Sequence, residues 1–275
     1  MTVLSDYEDR VATDLLHDPN YTTWTRAQID RFINAARVRL VKDTGCLRVY
    51  QTIILTPGVE SYSVGQVTGA GINSGGTHYT DPTIAFSGGG GTGAAATLGV
   101  TAGVVSSITF TNLGSGYTSS PAYIITDGTG SGANITIGVF SALTFDVLGA
   151  YLIWTNYRYA MRRMAFSELT RQLRLWDSTN QSQPVAWAGH SETTIFVAPF
   201  PDQSYPVDLD SVLLPADLSG SAIDPIPLKM QDAIPFYAAY LAKESVQSYG
   251  EGEMLLANYD RFTRQNLGAY SGWRP

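Results

Sequence analysis

The strongest candidate for a chemical site in this sequence is a glycine-rich loop at residues 87–96, SGGGGTGAAA. Gly88, Gly90 and Gly93 match the pattern G-x-G-x-x-G, in which glycines let the backbone approach a pyrophosphate at the start of a helix. The apolar stretch TIAF precedes the loop, as the strand before a nucleotide-binding turn would. Taken alone, the loop predicts a dinucleotide site.

An internal repeat changes this interpretation, because residues 75–100 recur in altered form at 114–139. Four identical pairs keep one constant spacing: Pro82 and Pro121, Gly93 and Gly132, Gly99 and Gly138, Val100 and Val139. In the second copy Asp127 and Thr129 replace two of the three glycines, and the ANITIGV that follows alternates as a strand. No acidic residue stands about 20 residues after the loop to bind a ribose. The repeat therefore predicts glycine turns in a small all-β module, with glycine supplying positive φ angles.

Neither metal ligation nor catalysis is indicated by the remaining polar residues. The histidines, His17, His78 and His190, fall in three different predicted elements, so their convergence on a metal is not expected. The sequence contains no G-x-S-x-G motif, and Cys46 has no histidine near it in the sequence. We predict no catalytic residue, no metal and no cofactor.

A run of aspartates near the C-terminal third is the one place where calcium is conceivable. Its members are Asp202, Asp208, Asp210, Asp217 and Asp224. A D-x-D pair within a strand places both carboxylates on one exposed face, and no glutamate closes a loop at calcium-binding spacing. Turn and cap roles are the preferred interpretation.

Composition narrows the function classes. The chain of 275 residues has a net charge of −7 and a pI near 4.9, which argues against a general nucleic-acid or membrane-surface binder. A single cysteine precludes an intrachain disulfide and favours a reducing cytosol, or a particle assembled there. The N-terminal residues lack the pattern of a signal peptide, and no apolar run approaches the length of a membrane span.

The distribution of charge indicates the domain organisation. No lysine or arginine occurs between Arg48 and Arg158, and most of the 27 glycines lie in that window. We therefore predict an inserted β-repeat module at 61–140 within a discontinuous frame of residues 1–60 and 141–267, followed by a short tail, 268–275. The expected fold class is α+β: a helical-bundle core with a short β section, interrupted by a small all-β insertion domain.

Helical signals mark the frame. Capping boxes at Ser5–Glu8 and Thr25–Gln28 predict two helix starts, and the second helix is expected at about 25–43, ending near Gly45. A helical hairpin is expected after residue 232, with a turn at Gly250. Ala238, Ala239 and Ala242 would let another helix pack closely.

A further helix is expected around residues 161–173. Met161, Met164, Ala165, Leu169 and Leu173 form its predicted apolar face. Arg162, Arg163, Arg171 and Arg174 lie largely on the other face. These arginines are predicted to be solvated or ion-paired, with Glu168 in reach of Arg171, and they are candidates for an interface between subunits. Sixteen tyrosines and five tryptophans also favour contact surfaces.

The frame resembles the head-to-tail adaptor, or connector, proteins of short-tailed bacteriophages. The resemblance rests on the order of FINAARVRL, RRMAFSELTRQLRLW and the C-terminal hairpin sequence. It also rests on the pattern P-x-P-D-x-x-Y formed by Pro199, Pro201, Asp202 and Tyr205. It covers about residues 1–55 and 141–275, and the inserted module is a departure, because typical adaptors are shorter.

This resemblance implies a structural virion protein of the neck, assembled in the host cytoplasm, and not an enzyme. Such adaptors form a ring, here expected to have twelve copies, between the portal protein and the tail nozzle or hub protein. The ring extends the channel through which DNA passes without sequence-specific binding. A C-terminal extension that docks on the portal would place Tyr270, Trp273 and Arg274 at that contact.

The alternative is a tail-associated receptor- or glycan-binding protein that uses the β repeats for recognition. Tyr79 and Tyr117 occupy matching places in the repeats and are candidates for stacking on sugars. Their position also suits anchoring of the turns.

Overall fold

The computed structural model describes residues 2–155, 157–173 and 181–267. The chain divides into two compact units, Met1–Arg48 with Val212–Pro275, and Val49–Ser211, called here the helical unit and the sheet unit. The expected helical-bundle core is wrong, because strands form 40% of the structure and helices 28%. The predicted module of residues 61–140 lies inside the sheet unit together with 49–60 and 141–211, and its bounds stay a prediction.

Helices are concentrated near the two ends of the chain, and strands occupy most of its middle. The helices are α1 (Leu4–Asp9), a π-helical segment (Arg10–Leu15), α2 (Arg26–Thr44), α3 (Phe166–Leu173), α4 (Leu228–Gln231), α5 (Ile234–Ser245) and α6 (Tyr249–Leu267). The strands are β1 (Arg48–Leu55), β2 (Ser61–Ser63), β3 (Gln66–Thr77), β4 (Thr83–Ser87), β5 (Thr92–Thr101), β6 (Val104–Ser115), β7 (Ala122–Thr126), β8 (Ser131–Phe140), β9 (Thr144–Trp154), β10 (Tyr157–Ala160), β11 (Arg162–Arg163), β12 (Ala186–Ser191), β13 (Thr194–Ala198) and β14 (Tyr205–Leu213).

Local signals set the ends of α2 as expected. The side chain of Gln28 accepts a hydrogen bond from the Thr25 N–H at 2.8 Å, and Gly45 ends the helix with a φ of +62°. The apolar face then buries Ile29, Ile33 and Leu40. The first capping box is different from the expectation: the N-cap is Val3, two residues before Ser5, and Asp6 accepts from the Val3 N–H at 2.9 Å.

A buried ion pair joins the N-terminal helices to the chain before α4. The Arg37 guanidinium donates to both Asp224 carboxylate oxygens, at 3.1 and 3.0 Å, and both side chains are almost fully buried. The Tyr7 hydroxyl donates to the same carboxylate at 2.8 Å, while Arg37 also donates to Asn34 and to the Ala216 carbonyl. Each charge is therefore compensated and hydrogen-bonded, as a buried pair requires.

The C-terminal hairpin of α5 and α6 confirms the expected element order, but the turn lies at residues 246–248 and not at Gly250, which is already in α6. Ala238, Ala239 and Ala242 are fully buried in the core that α5 shares with α2 and α1. The indole N–H of Trp24 donates to the Ala242 carbonyl at 3.1 Å, which ties the loop before α2 to α5. Small side chains permit this close packing, as the sequence predicted.

The sheet unit contains two four-stranded sheets, with strand orders β1-β14-β9-β10 and β11-β12-β13-β2. Residues from both sheets form one apolar core, in which Leu152, Trp187 and Leu209 are almost completely buried. Helix α3 covers the opposite face of the second sheet, where Leu169 packs with Ala186 and Ala188. Side chains that alternate along β12 therefore enter two cores: Trp187 packs between the two sheets, and Ala186 and Ala188 pack against α3.

The helix expected around residues 161–173 begins only at Phe166. Residues 162–163 form β11, which runs parallel to β12, and the Met164 N–H donates to the Trp187 carbonyl at 2.9 Å. Met161 and Met164 consequently enter two different cores instead of one helical face. Pairing with β12, which follows only after α3 in the chain, overrides the local helical spacing.

The repeat strands are related by an approximate two-fold arrangement. Strands β4 and β5 of the first copy correspond to β7 and β8 of the second, and β3 and β6 extend the copies beyond the expected starts. The ladders are β3–β8, β4–β7 and β5–β6. Every ladder therefore pairs a strand of the first copy with a strand of the second. The two copies are therefore interlocked and share one core.

Candidate interaction surfaces

The glycine-rich loop is a turn between strands, as the repeat predicted. Gly88, Gly89 and Gly90 have φ angles of +74°, +69° and +80°, and β5 follows them as a strand. No helix N-terminus therefore points at the loop, and the positive φ angles explain the glycines.

Tyr79 and Tyr117, at corresponding places in the two repeat copies, each anchor the glycine turn of the other copy. Tyr79 and Tyr117 are 5% and 3% exposed. Tyr79 accepts from the Ala133 N–H at 3.2 Å, and Tyr117 accepts from the Ala94 N–H at 3.4 Å. Each tyrosine thus serves the other copy, and neither ring is free to stack on a sugar.

Glycine is required where each tyrosine ring lies on the opposite turn. A Cβ on Gly91 would lie 2.5 Å from Cγ of Tyr117, and a Cβ on Gly130 would lie 2.5 Å from Cγ of Tyr79. Gly91 and Gly130 themselves occupy corresponding places in the two copies. Gly91, which lies between the glycines of the cofactor-like pattern, is therefore required by the packing of the repeat.

Asp127 closes the second turn in place of a backbone carbonyl. Its carboxylate accepts from the N–H groups of Thr80 and Asp81, and also from those of Thr129 and Gly130. In the first copy the Gly89 carbonyl accepts from the N–H groups of residues 118 and 119 instead. These backbone donors hold the pKa of Asp127 far below its ordinary value, so the carboxylate stays charged.

The candidate metal ligands do not form a cluster. Among residues 2–155, 157–173 and 181–267, no group of three or more His, Cys, Asp or Glu side chains is placed to hold a metal ion. His17 follows the π-helical segment, His78 follows β3, and His190 on β12 packs its ring 4.0 Å from Phe166. Cys46 is buried, and burial raises the pKa of its thiol, which disfavours a nucleophilic thiolate.

The structure shows different kinds of partner for Asp202, Asp208 and Asp224 of the C-terminal aspartate run. Asp202 accepts from the Tyr205 hydroxyl at 2.7 Å at the start of β14. Asp208 pairs with Arg158, and Asp224 pairs with Arg37. Asp224 also accepts from the Ile226 N–H two residues on, which is a turn role of the expected kind. The ion pairs of Asp208 and Asp224 were not indicated by the sequence.

The arginines proposed for a subunit interface do not share a helical face. Arg162 and Arg163 lie on β11, while Arg171 lies on α3 and Arg174 falls outside the described residues. The Glu168 carboxylate lies 3.9 Å from the Arg162 guanidinium, a pairing that the sequence did not indicate. The Arg163 guanidinium carbon lies 5.3 Å from the centre of the Trp187 ring. Their role between subunits stays a prediction, as does that of Tyr270, Trp273 and Arg274, which also fall outside the described residues.

A different arginine organises an exposed aromatic cluster on the first four-stranded sheet. Arg158, on β10, forms an ion pair with Asp208 on β14. Its guanidinium carbon lies 4.5 Å from the centre of the Tyr50 ring and 5.2 Å from that of Tyr151. We call these four residues, from four strands, the Arg158 face.

The geometry of the Arg158 face keeps its charge in place while leaving it accessible. The Thr52 hydroxyl donates to the second oxygen of Asp208 at 2.7 Å, which fixes the carboxylate against Arg158. Hydrogen bonding to Asp208 raises the pKa of Arg158. The Arg158 side chain is nevertheless 44% exposed, and Tyr50 is 54% exposed.

The edge strand of this sheet also exposes aromatic rings, on the face opposite to Arg158, because side chains alternate along a strand. Strand β10 pairs only with β9 among the described strands, and Tyr157 and Tyr159 on β10 have their ring centres 6.3 Å apart. Trp154, paired with Tyr157 in the ladder, is exposed as well. An edge strand with exposed aromatic rings is a ready contact for another protein.

The sheet unit also contains an open groove of about 670 Å³. Its walls come from residues 66–72 of β3, from 106–110 and 113 of β6, and from 56–57, 59, 61–63 and 204. This volume falls in the range of small-molecule sites. We call it the hydroxyl groove, because serine and threonine side chains recur along its walls.

Comparisons with known proteins add no assignment: no protein-family model and no curated protein sequence matches the chain. The described helices also include none that is long and apolar enough to span a membrane.

Proposed function

We propose that this chain is a structural assembly protein of a short-tailed bacteriophage, which forms a ring between the portal and the tail. The single observation that carries the proposal is the Arg158 face, a pre-positioned arginine beside an exposed and a half-buried tyrosine. The resemblance of the frame to head-to-tail adaptors supplies the biological setting, the virion neck. The contact surface we propose lies on a β-sheet, not on the wall of a helical bundle.

The Arg158 face has the chemistry of a protein–protein contact. Arginine and tyrosine are enriched among the residues that contribute most to binding free energy, because they combine large apolar area with directional hydrogen bonding. The ion pair with Asp208 already restrains Arg158, so a partner meets a side chain that has lost part of its conformational freedom. Guanidinium donors that remain solvated are available to carboxylates or carbonyls of that partner.

The helical unit has exposed apolar side chains of its own. Leu228 is 70% exposed at the start of α4, Met254 is 71% exposed on α6, and Tyr249 is 55% exposed at the start of α6. Large apolar groups that remain in water on a folded unit are consistent with contact to neighbouring subunits. This supports an assembly in which both units contact other chains.

The remaining parts of the proposal follow from the resemblance and from charge. Twelve copies would match a dodecameric portal, and the tail 268–275 would dock on it through Tyr270, Trp273 and Arg274. A chain with a net charge of −7 repels phosphate, so DNA would pass the lumen without being held. The tail nozzle or hub protein would bind the distal side.

Replacing Arg158 by Ala is expected to weaken assembly on the portal at least tenfold, because a central arginine contact is lost. The variant should keep its fold, since Arg158 is partly exposed at a sheet edge. Sedimentation velocity of the chain with the portal protein of the same phage measures the assembly, and circular dichroism checks the fold.

Arg264→Ala is the matched control, because Arg264 is 82% exposed on α6 and forms only a long ion pair, of 3.9 Å, with Asp260. Arg171→Ala is a third variant, which tests the interface expected from the sequence. Assembly should persist in the Arg264 variant. Unchanged assembly of a folded Arg158→Ala chain would remove the Arg158 face from the proposed interface.

A further inference from the structure

The hydroxyl groove has an uncharged lining. Charged residues make up 15% of the sequence, yet none of the residues that line the groove carries a charge. Anionic ligands such as phosphates or uronates bind where arginine, lysine or helix N-termini compensate them, and this lining offers none of these side chains. A ligand for the groove is therefore expected to be neutral.

The polar groups of the groove fall into two classes. The Thr56 and Thr68 side chains hold the walls together: Thr56 donates to the Thr68 carbonyl at 2.9 Å, and Thr68 accepts from the Ile54 N–H at 3.0 Å. By contrast, the side chains of a second set have no hydrogen-bond partner within the described residues. They are Ser61, Gln66, Ser107, Thr109 and Ser204. These groups can donate to and accept from a ligand without breaking an existing bond.

Apolar surface accompanies these free hydroxyls. Phe110 lines the groove and is stacked on Phe86, with ring centres 5.7 Å apart, so its position is fixed by the core of the repeat. Leu113 and Val59 add exposed apolar area, at 38% and 36% exposure. A wall that carries both hydroxyl groups and apolar side chains is complementary to a molecule with hydroxyl groups at its edges and C–H groups on its faces.

An extended peptide fits this groove less well. Strand addition needs free backbone groups along an edge, but the segment 54–56 covers β3 near its start, at residues 68–69. The Thr68 carbonyl is already bonded to Thr56, and a Cβ on Gly69 would lie 2.8 Å from the Ile54 carbonyl oxygen. A continuous ladder along β3 is therefore interrupted.

We propose that the hydroxyl groove binds a neutral oligosaccharide. Sugar hydroxyls would exchange hydrogen bonds with Ser107, Thr109 and Gln66, while a C–H face packs on the apolar part of the wall. This role differs from sugar stacking on Tyr79 and Tyr117, which are buried. It rests on the groove alone and is independent of the proposed ring.

The test is binding of the full-length chain to an array of oligosaccharides, followed by calorimetry with the best neutral glycan. The array includes neutral hexose and N-acetylhexosamine chains as well as uronate- and sialic-acid-containing chains. We expect binding to neutral chains, weakened at least tenfold in a variant combining Ser107→Ala and Thr109→Val. Both residues are exposed, so the variant should retain its melting temperature.

Thr111→Val is the matched control, because Thr111 is an exposed threonine on the same strand that does not line the groove. Its hydroxyl donates to the Ala95 carbonyl instead. The control should bind the neutral glycan as the unmodified chain does. Three outcomes of the glycan measurements would overturn the proposal: no binding of neutral glycans, preference for the anionic chains, or binding that survives the double substitution. A competition experiment in which an extended peptide binds the groove more tightly than the neutral glycan would overturn it as well.

Discussion

Replacing Asp224 by Asn is expected to destabilise the helical unit by about 3–5 kcal/mol, because it leaves the buried Arg37 charge uncompensated. The carboxylate is a shared acceptor for Arg37, for the Tyr7 hydroxyl and for the Ile226 N–H. The asparagine side chain is uncharged and has one acceptor oxygen, whereas the three donors bind to both oxygens of the carboxylate. Burial and the adjacent Asp224 also raise the pKa of Tyr7 far above its ordinary value, so its hydroxyl remains a donor.

Urea denaturation followed by far-ultraviolet circular dichroism measures this loss. Asp217→Asn is the matched control, because Asp217 is exposed in the same segment, and its stability should stay within about 0.5 kcal/mol of the unmodified chain. The double variant Arg37→Met with Asp224→Leu should lose much less free energy of unfolding than the sum of the losses in the single variants Arg37→Met and Asp224→Leu. In the double variant both buried charges disappear. Additive losses in this double-mutant cycle would show that the pair does not act as a unit.

The second large effect is expected for the tyrosines that lock the repeat turns. Removal of either buried ring, by Tyr79→Ala or Tyr117→Ala, should cost about 3–5 kcal/mol, as for other large aromatic side chains. The two losses should be similar, because each ring occupies the corresponding place against Gly130 or Gly91. Tyr157→Ala is the control, since Tyr157 is 67% exposed.

Amide hydrogen exchange gives a sharper test of the crossed arrangement. Tyr79→Phe should accelerate exchange at Ala133, and Tyr117→Phe should accelerate it at Ala94, because each hydroxyl accepts from the amide in the opposite copy. The reverse pattern, or equal acceleration at both amides in both variants, would contradict the crossed hydrogen bonds.

Elements specified by local signals were predictable from the sequence. Helix α2 has an amphipathic stripe, a capping glutamine and a glycine in the left-handed conformation at its end, all within one continuous segment. The internal repeat likewise predicted strands on both sides of the glycine turns, because corresponding positions carry the same constraint. In both cases the information lies close together in the chain or is repeated.

The expected helical bundle was wrong where distant strands decide the structure. Met161 and Met164 have helical spacing, but the backbone at 162–164 hydrogen-bonds to Val185 and Trp187. The Arg158 face depends on four strands whose residues span positions 50–208, so no local pattern announces it. The hydroxyl groove is defined by which side chains lack partners, and only the folded structure reveals that property.

The most direct test of the proposed function is electron microscopy of the full-length chain mixed with the portal protein of the same phage. The proposal predicts class averages with a closed, twelve-fold ring of this protein on the portal, and loss of that ring when residues 268–275 are deleted. A chain that stays unattached to the portal, or that binds it equally well without these residues and without forming a ring, would contradict it.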